Sequence, residues 1–247
     1  MDTVSALLLS LGILTSLPSD APAESAAIAA PAATATKTAS KKEEAAPKKG
    51  SASAVLAAVQ SFYDGTTDLA SDFKQTYVHP VYGTRTVTKG VLKIRKPGMM
   101  VWDYEGEGDP DFYVDGEKMW VVEHDTRQVV SQTVGDNSSL SGAMKFLFGG
   151  QKLIKEFKVR LASEALVKRY GAAGHTVVEL KPKEKNPHYK TILLVVDDAS
   201  GRVDAFVVRN QDNSINHFEL AAIKSNQGFK AEMFRYKVPK GYVETKE

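Results

Sequence analysis

The chain of 247 residues contains no cysteine. This absence excludes a disulfide scaffold, a thiolate zinc site, a thiol nucleophile and an N-terminal cysteine that could be lipidated. An excess of charge of one sign is also lacking, because 32 Lys and Arg residues are balanced by 30 Asp and Glu residues. Proteins that bind nucleic acid normally carry a basic surface, so this balance argues against that class.

The sequence also lacks the short motifs that mark common active sites. It has no Gly-x-Ser-x-Gly elbow, Gly-rich phosphate loop, His-Glu-x-x-His helix or Gly-x-Gly-x-x-Gly dinucleotide motif. None of its five histidines has a second histidine or a carboxylate at metal-ligand spacing. The adjacent carboxylates Asp197 and Asp198 precede Ser200 and Gly201, a pattern typical of a turn. We therefore expect a binding protein, not an enzyme, without a metal or cofactor.

The N-terminal residues have the composition of an export signal. Residues 4–17 form an uncharged apolar run, shorter than the roughly 20 residues that span a membrane but suitable for a signal-peptide core. Small residues at Ala21 and Ala23 fit a cleavage site. Residues 1–3 lack the usual positive charge, which we interpret as a translation start placed too late. We expect residues 1–23 to be a signal peptide, with a membrane-attached N-terminus as the alternative.

The next segment has the composition of a flexible tether. Residues 24–51 are nearly all Ala, Pro, Ser, Thr, Lys and Glu, with no aromatic residue. Such a segment cannot bury enough apolar area to offset the entropy of ordering it. We expect a disordered linker over residues 24–51 and a single folded domain over residues 52–247.

The folded domain is predicted to be mainly β with a few helices. Ser53 is a candidate N-cap for a helix whose apolar residues Val55, Ala58, Val59 and Phe62 share one face. Strands then alternate with turn residues, and Asp115-Gly116 is the strongest hairpin signal. The predicted strands are residues 71–79, 84–95, 99–104, 111–114, 118–123, 128–133, 157–161, 166–170, 176–181, 190–197, 203–210, 216–223 and 230–236. A sheet of this length has to curl, so we expect a curved antiparallel sheet that encloses a core or one apolar ligand.

A predicted helix interrupts this meander at residues 139–148. Leu140, Ala143, Met144 and Leu147 share one face, and Phe148 lies at its edge. A helix inserted between two strands is where a removable lid is expected. Met and aromatic residues are abundant in this half of the chain, which is compatible with an ordinary core or with a surface that accepts variable apolar partners.

Four segments, in this order and spacing, resemble the LolA family of periplasmic lipoprotein carriers. They are Phe73-Lys74-Gln75, the run from Gly90 to Tyr104, the run from Val114 to Val122, and Phe146 to Gly150, and residues 234–239 fit the family's last strand. The resemblance covers roughly residues 52–240. It implies an incomplete β-barrel capped by an N-terminal helix and a central helical lid. It also implies a monomeric periplasmic chaperone that carries triacylated lipoproteins from an inner-membrane ABC-type exporter to the outer membrane, and to an outer-membrane acceptor if one is present.

The resemblance predicts an apolar cavity for acyl chains. Its predicted lining is Phe73, Leu92, Ile94, Met100, Trp102, Trp120, Leu140, Met144, Leu147 and Phe148. Many family members have an arginine before the proline of the Gly90–Tyr104 run, where it tethers the lid. Here that position is Lys96, with Arg95 one residue earlier on the opposite face of the strand. The lysine ammonium group donates hydrogen bonds from a single flexible point, whereas the planar guanidinium group of arginine can donate two in parallel. We therefore expect a weaker tether at Lys96.

A second function on the same scaffold remains open. A lipid-sensing or envelope-stress regulatory module would use the same apolar cavity and differ in its partners. The outer-membrane acceptor of the family is itself lipidated, and the lack of cysteine argues against that role. The carrier and the sensor are distinguished by what they bind, lipoproteins or free lipid.

Overall fold

The computed structural model describes residues 50–134 and 153–246. The predicted signal peptide, nearly all of the predicted linker and the predicted helix at residues 139–148 lie outside the described residues. Within these ranges the chain forms one sheet of twelve strands. The strands are β1 (Asp68–Val78), β2 (Arg85–Arg95), β3 (Met99–Tyr104), β4 (Asp111–Asp115), β5 (Lys118–Glu123), β6 (Gln128–Thr133), β7 (Phe157–Leu161), β8 (His175–Pro182), β9 (Tyr189–Asp197), β10 (Val203–Asn210), β11 (Ile215–Ser225) and β12 (Val243–Lys246). The prediction of a mainly β fold is confirmed.

The sheet is open, with β12 at one edge and β7 at the other. Its order is β12-β6-β5-β4-β3-β2-β1-β11-β10-β9-β8-β7. All neighbouring strands are antiparallel except β12, which pairs with β6 in parallel. The Asp115-Gly116 turn is confirmed: Gly116 has φ 99°, and the Asp115 carboxylate accepts from two following backbone N–H groups. A tight turn of this kind needs the left-handed conformation that glycine adopts without strain.

Ring contacts across the sheet demonstrate its curvature. Trp102 on β3 and Phe218 on β11 have ring centroids 5.3 Å apart, although β2 and β1 lie between their strands. In a flat sheet three strand spacings would separate them by about 14 Å. The sheet therefore curls around its inner face, as expected for an incomplete barrel.

Helix α1 (Ala52–Asp64) packs on the inner face of this sheet. Its N-cap is Ser51, whose side chain accepts a hydrogen bond from the Ala54 N–H, and not the predicted Ser53. Its buried side chains are Leu56, Val59 and Tyr63, and they join the main apolar core. The buried face is rotated by about one residue from the predicted one, because apolar residues at i, i+3 and i+4 occur on two neighbouring faces of this helix.

Two shorter helices follow the segment that the structure leaves undescribed, α2 (Leu153–Glu156) and α3 (Glu164–Tyr170). The prediction of a strand at residues 166–170 is wrong, since α3 occupies them. Leu166 and Tyr170, four residues apart, both pack on an apolar cluster around Val177 and Leu193. A short apolar run is compatible with the period of a strand or of a helix. Here residues i and i+4 contact the same cluster, and this spacing requires a helix. Among the described helices, none combines the length and apolarity needed to cross a membrane.

The last predicted strand is also wrong. Residues 231–234 form a 3₁₀ helix (Ala231–Phe234), and the final strand is β12, farther along the chain. β11 ends at Ser225 against β1, whose other side already pairs with β2. The following residues therefore find no free strand edge nearby, and they cross the outer face of the sheet before pairing with β6.

Candidate functional site

An apolar surface lines the inner face of the curled sheet, where four of the predicted site residues meet. Leu92 pairs with Trp102 and Ile94 pairs with Met100 across β2 and β3. All four side chains are at most 3% exposed and belong to the main core. Because alternate residues of a strand point to one face, the spacing of two places them together. In the described structure, these four residues therefore lie together on the inner face of the sheet.

Phe73 of β1 is at the centre of this surface. Its ring packs edge-on against Trp102 (5.2 Å between centroids) and against Tyr104 (4.9 Å). It lies over Gly90, its partner on β2, where a Cβ atom would come within 2.8 Å of the ring. The absence of a side chain at Gly90 leaves the space that the Phe73 ring occupies.

Trp120 lies on the other face of the sheet. Its neighbours on β5, Met119 and Val121, point into the main core, so alternation turns Trp120 outward. It packs with Val122 and Val129, under tyrosine and valine side chains of the C-terminal segment. The structure thus separates Trp120 from the other described residues of the predicted cavity, and we leave it out of the candidate site.

The predicted tether Lys96 contacts helix α1. Its ammonium group donates to the backbone carbonyl of Tyr63 in the last turn of that helix. Burial lowers the Lys96 pKa, and the nearby carboxylate of Asp64 partly opposes this shift. A cation at a helix C-terminus is favoured by the helix dipole. Arg95 points elsewhere and donates from Nε to the Phe229 carbonyl (2.9 Å).

The predicted lid contributes four of the predicted site residues, and all four lie outside the described residues: Leu140, Met144, Leu147 and Phe148. The chain re-enters the described part at Leu153, which is buried in the main core. The Leu153 N–H donates to the side-chain oxygen of Gln60 on α1 (3.3 Å). The segment that follows the predicted lid is therefore anchored to helix α1.

A polar chain runs through the otherwise apolar inner face, and sequence reasoning missed it. Tyr104 Oη donates to Gln75 Oε1 (2.6 Å), and Gln75 Nε2 donates to Asn216 Oδ1 (2.9 Å). All three residues are buried. The available signal was positional, because Gln75 and Asn216 stand two residues from the inward-facing Phe73 and Phe218.

Two histidines that looked isolated in the sequence each acquire a carboxylate partner. His124 Nε2 lies 2.9 Å from Asp111 Oδ2, and its Nδ1 lies 2.9 Å from the Tyr242 hydroxyl. His175 Nε2 lies 2.9 Å from Asp204 Oδ2, and its Nδ1 lies 2.9 Å from the Ala173 carbonyl. In both rings the two nitrogens are occupied, so neither is placed to take a proton from a serine or threonine.

The surroundings of His175 favour its protonated form. The hydrogen bond to Asp204 is the main cause of a raised His175 pKa, and the Ala173 carbonyl adds to it. Arg202 also binds Asp204, at 2.5 Å from Nε to Oδ1. Within the described ranges, no cluster of three or more potential metal ligands is found. The His175 pair joins β8 to β10, and the His124 pair joins β4 to the turn after β5.

Comparison with known proteins identifies the family to which this sequence belongs. The family model for the outer membrane lipoprotein carrier protein LolA matches residues 64–237. An outer-membrane lipoprotein carrier protein of Cupriavidus necator is 25% identical over 186 residues, 74% of this chain and 83% of the relative. Another from Nitrosospira multiformis is 22% identical over 187 residues, 75% of this chain and 86% of the relative. A solved LolA superfamily structure from Nitrosomonas europaea has a TM-score of 0.42 at 9% identity, covering 75% of this chain and 98% of that one. Because the family match extends over more than half of the sequence, this chain belongs to the LolA family.

Proposed function

We propose that this protein is a periplasmic chaperone that binds the acyl chains of triacylated lipoproteins on the inner face of its sheet. It takes them from an inner-membrane ABC-type exporter and carries them to the outer membrane. The observation that carries the proposal is the largely apolar inner face around Phe73, Leu92 and Trp102, in a chain of the LolA family. No covalent chemistry is involved.

The open sheet supports binding that can be reversed. Burial of each methylene stabilises a bound chain by about 0.8 kcal/mol, so complete burial of three acyl chains would prevent release. A sheet with two free edges and a helix across its inner face can shelter chains in part and open again. Helix α1, which Lys96 holds at its C-terminal end, and the predicted lid at residues 139–148 are the elements that would move.

Mass spectrometry of the material that co-purifies from the periplasm tests this function. The carrier predicts triacylated lipoproteins in the bound fraction. A transfer assay with exporter-containing membranes as donor and outer-membrane vesicles as acceptor then measures delivery. Recovery of free phospholipid alone would contradict the carrier and favour the lipid-sensing alternative on the same fold.

A further inference from the structure

The buried chain of Tyr104, Gln75 and Asn216 has a defined direction. Burial raises the Tyr104 pKa well above its usual value, so the phenol keeps its proton and acts as a donor. Tyr104 then donates to the Gln75 carbonyl oxygen, and the Gln75 amide donates to Asn216 Oδ1. The chain therefore ends at the amide nitrogen of Asn216.

That last nitrogen lacks an acceptor. Asn216 is fully buried, and its Nδ2 has no hydrogen-bond partner among the described residues. The same holds for Nε1 of Trp102, which is also fully buried. A buried N–H group without an acceptor is costly and rare in folded proteins, so two of them on one surface require an explanation.

The two donors border the same aromatic cluster. Trp102 packs against Phe218, which stands two residues after Asn216 on the inward side of β11. Trp102 also packs against Phe73, which stands two residues before Gln75 on β1. An acyl chain lying on this cluster would bring its polar end within the region of both N–H groups.

The charges of the described residues favour a neutral acceptor. The buried polar side chains of the described residues include neither lysine nor arginine. A carboxylate buried beside neutral donors would lose its hydration without a compensating cation, whereas a carbonyl oxygen needs only hydrogen bonds. An ester carbonyl at the head of an acyl chain satisfies the donors at the smallest cost.

We propose that Asn216 and Trp102 form a carbonyl-binding subsite that donates hydrogen bonds to an acyl ester on the inner face of the sheet. The subsite rests on the proposed function, since it needs an acyl chain bound there. It gives an apolar surface a preference for acyl esters over hydrocarbon of equal length. Lipoproteins and phospholipids share this ester, and either can supply it.

Matched ligands test the subsite on the intact protein. Displacement of an apolar fluorescent probe is measured with 1,2-dipalmitoylglycerol, its dihexadecyl ether analogue, which lacks both carbonyls, and palmitate. We expect the ester to bind about tenfold more tightly than the ether, because the ether cannot accept the hydrogen bonds of the two buried donors. Palmitate, as a carboxylate, should bind less well than the ester. The comparison is repeated with phosphatidylethanolamine and with a triacylated lipopeptide, each beside its ether analogue. The lipid class with the larger ratio of ester to ether affinity is the source of the ester that the subsite binds.

Three variants locate the effect. Asn216→Leu and Trp102→Phe each remove one donor and should reduce the ratio of ester to ether affinity to about threefold, and this ratio cancels any change in apolar binding that both ligands share. Trp120→Phe is the matched control, because that indole lies on the outer face, and it should keep the full preference. Should Asn216→Leu fail to fold, Trp102→Phe retains an aromatic ring and carries the test alone.

Nitrogen-15 NMR of the indole and side-chain amide N–H groups provides an independent readout. The Trp102 and Asn216 resonances should shift downfield with the ester and not with the ether. Equal affinity for the two ligands, or N–H groups that contact a buried water in the presence of the ester, would overturn the subsite and leave acyl binding standing. Failure of both ligands to bind would instead contradict the proposed function itself.

Discussion

At the scale of single residues, the direction of a side chain decides its role. Trp102 and Trp120 are the only two tryptophans, and both stand in strands of similar sequence. Trp102 faces inward beside Phe73, whereas Trp120 faces outward beneath the C-terminal segment. The same residue type thus packs in the main core on one face and holds the C-terminal segment on the other.

Lys96 is expected to matter for function more than for stability. Lys96→Leu loses the hydrogen bond to the Tyr63 carbonyl but also removes an ammonium group whose charged form burial disfavours. These effects oppose each other, so the free energy of unfolding should change by about 1 kcal/mol or less. We expect the folded variant to load or release acyl chains poorly, as measured by transfer from exporter to acceptor. Lys96→Arg keeps a donor and serves as control; unchanged transfer by the leucine variant would show Lys96 to be an ordinary helix-end contact.

His175 should make stability depend on pH. Its pKa is raised in the folded state, first by the hydrogen bond to Asp204. The stabilisation is therefore complete below the unfolded pKa of about 6.5 and is lost as pH rises through the folded pKa. His175→Gln should lower the free energy of unfolding more at about pH 5.5 than at about pH 8.5, and the difference should be about 1 kcal/mol or less because the pair is near the surface. Melting curves at the two pH values measure it.

His217 provides a control of opposite sign. Burial lowers its pKa, so its neutral form is favoured in the folded state and stability falls as the pH drops below about 6.5. His217→Gln should remove that loss at low pH. If the melting curves of the two variants respond to pH in the same direction, one of the two assignments is wrong.

At the scale of elements, close approach of neighbouring strands depends on a glycine in β2. A Cβ at Gly90 would lie 2.0 Å from the backbone oxygen of Asp103 and 2.8 Å from the Phe73 ring. Backbone cannot retreat as a flexible side chain can, so the strand pair would have to separate. The short strands and turns could be recognised from the sequence. The need for glycine at residue 90 could not, because it depends on contacts with residues of two other strands, Asp103 on β3 and Phe73 on β1.

Gly90→Ala should therefore destabilise the protein by about 3 kcal/mol, measured by chemical denaturation. Gly65→Ala is the matched control, because its nearest atoms would be 3.7 Å away and its φ of −80° suits any residue. We expect the control to change stability by about 0.5 kcal/mol or less. A similar small effect at both positions would mean that β2 and β3 can move apart freely.

At the scale of the whole molecule, the main question is whether the inner face opens. Met100 is 1% exposed on that face, whereas Met144 lies outside the described residues on the predicted lid. Met100→Glu would bury an unpaired charge and should abolish the melting transition or nearly so. Met144→Glu should keep a near-normal melting temperature, because a lid can swing the charge into water, while binding of an apolar probe is lost. Collapse of both variants would mean that residues 139–148, predicted to be a lid, belong instead to a sealed core.

The strands, most of their turns and the family could be predicted from the sequence because they depend on local signals. A period of two places Leu92, Ile94, Met100 and Trp102 on one face, and Asp115-Gly116 closes a hairpin wherever it occurs. The errors at residues 166–170 and 230–236 arose where local signals fit two structures. Tertiary contacts decided both cases. Helix α3 packs on the cluster around Val177 and Leu193, and the C-terminal segment packs on the outer face of the sheet.

The sequence by itself determined which residues share a face, and the tertiary structure alone decided what each face does. Alternation groups Trp120 with Val122 but carries no information on which side the sheet curls. Curling brings β3 towards β1 across β2, so that Tyr104 reaches Gln75, which is bonded to Asn216 on the neighbouring strand β11. The physical reason is that apolar periodicity acts between near neighbours, whereas buried polar partners come from strands far apart in the chain.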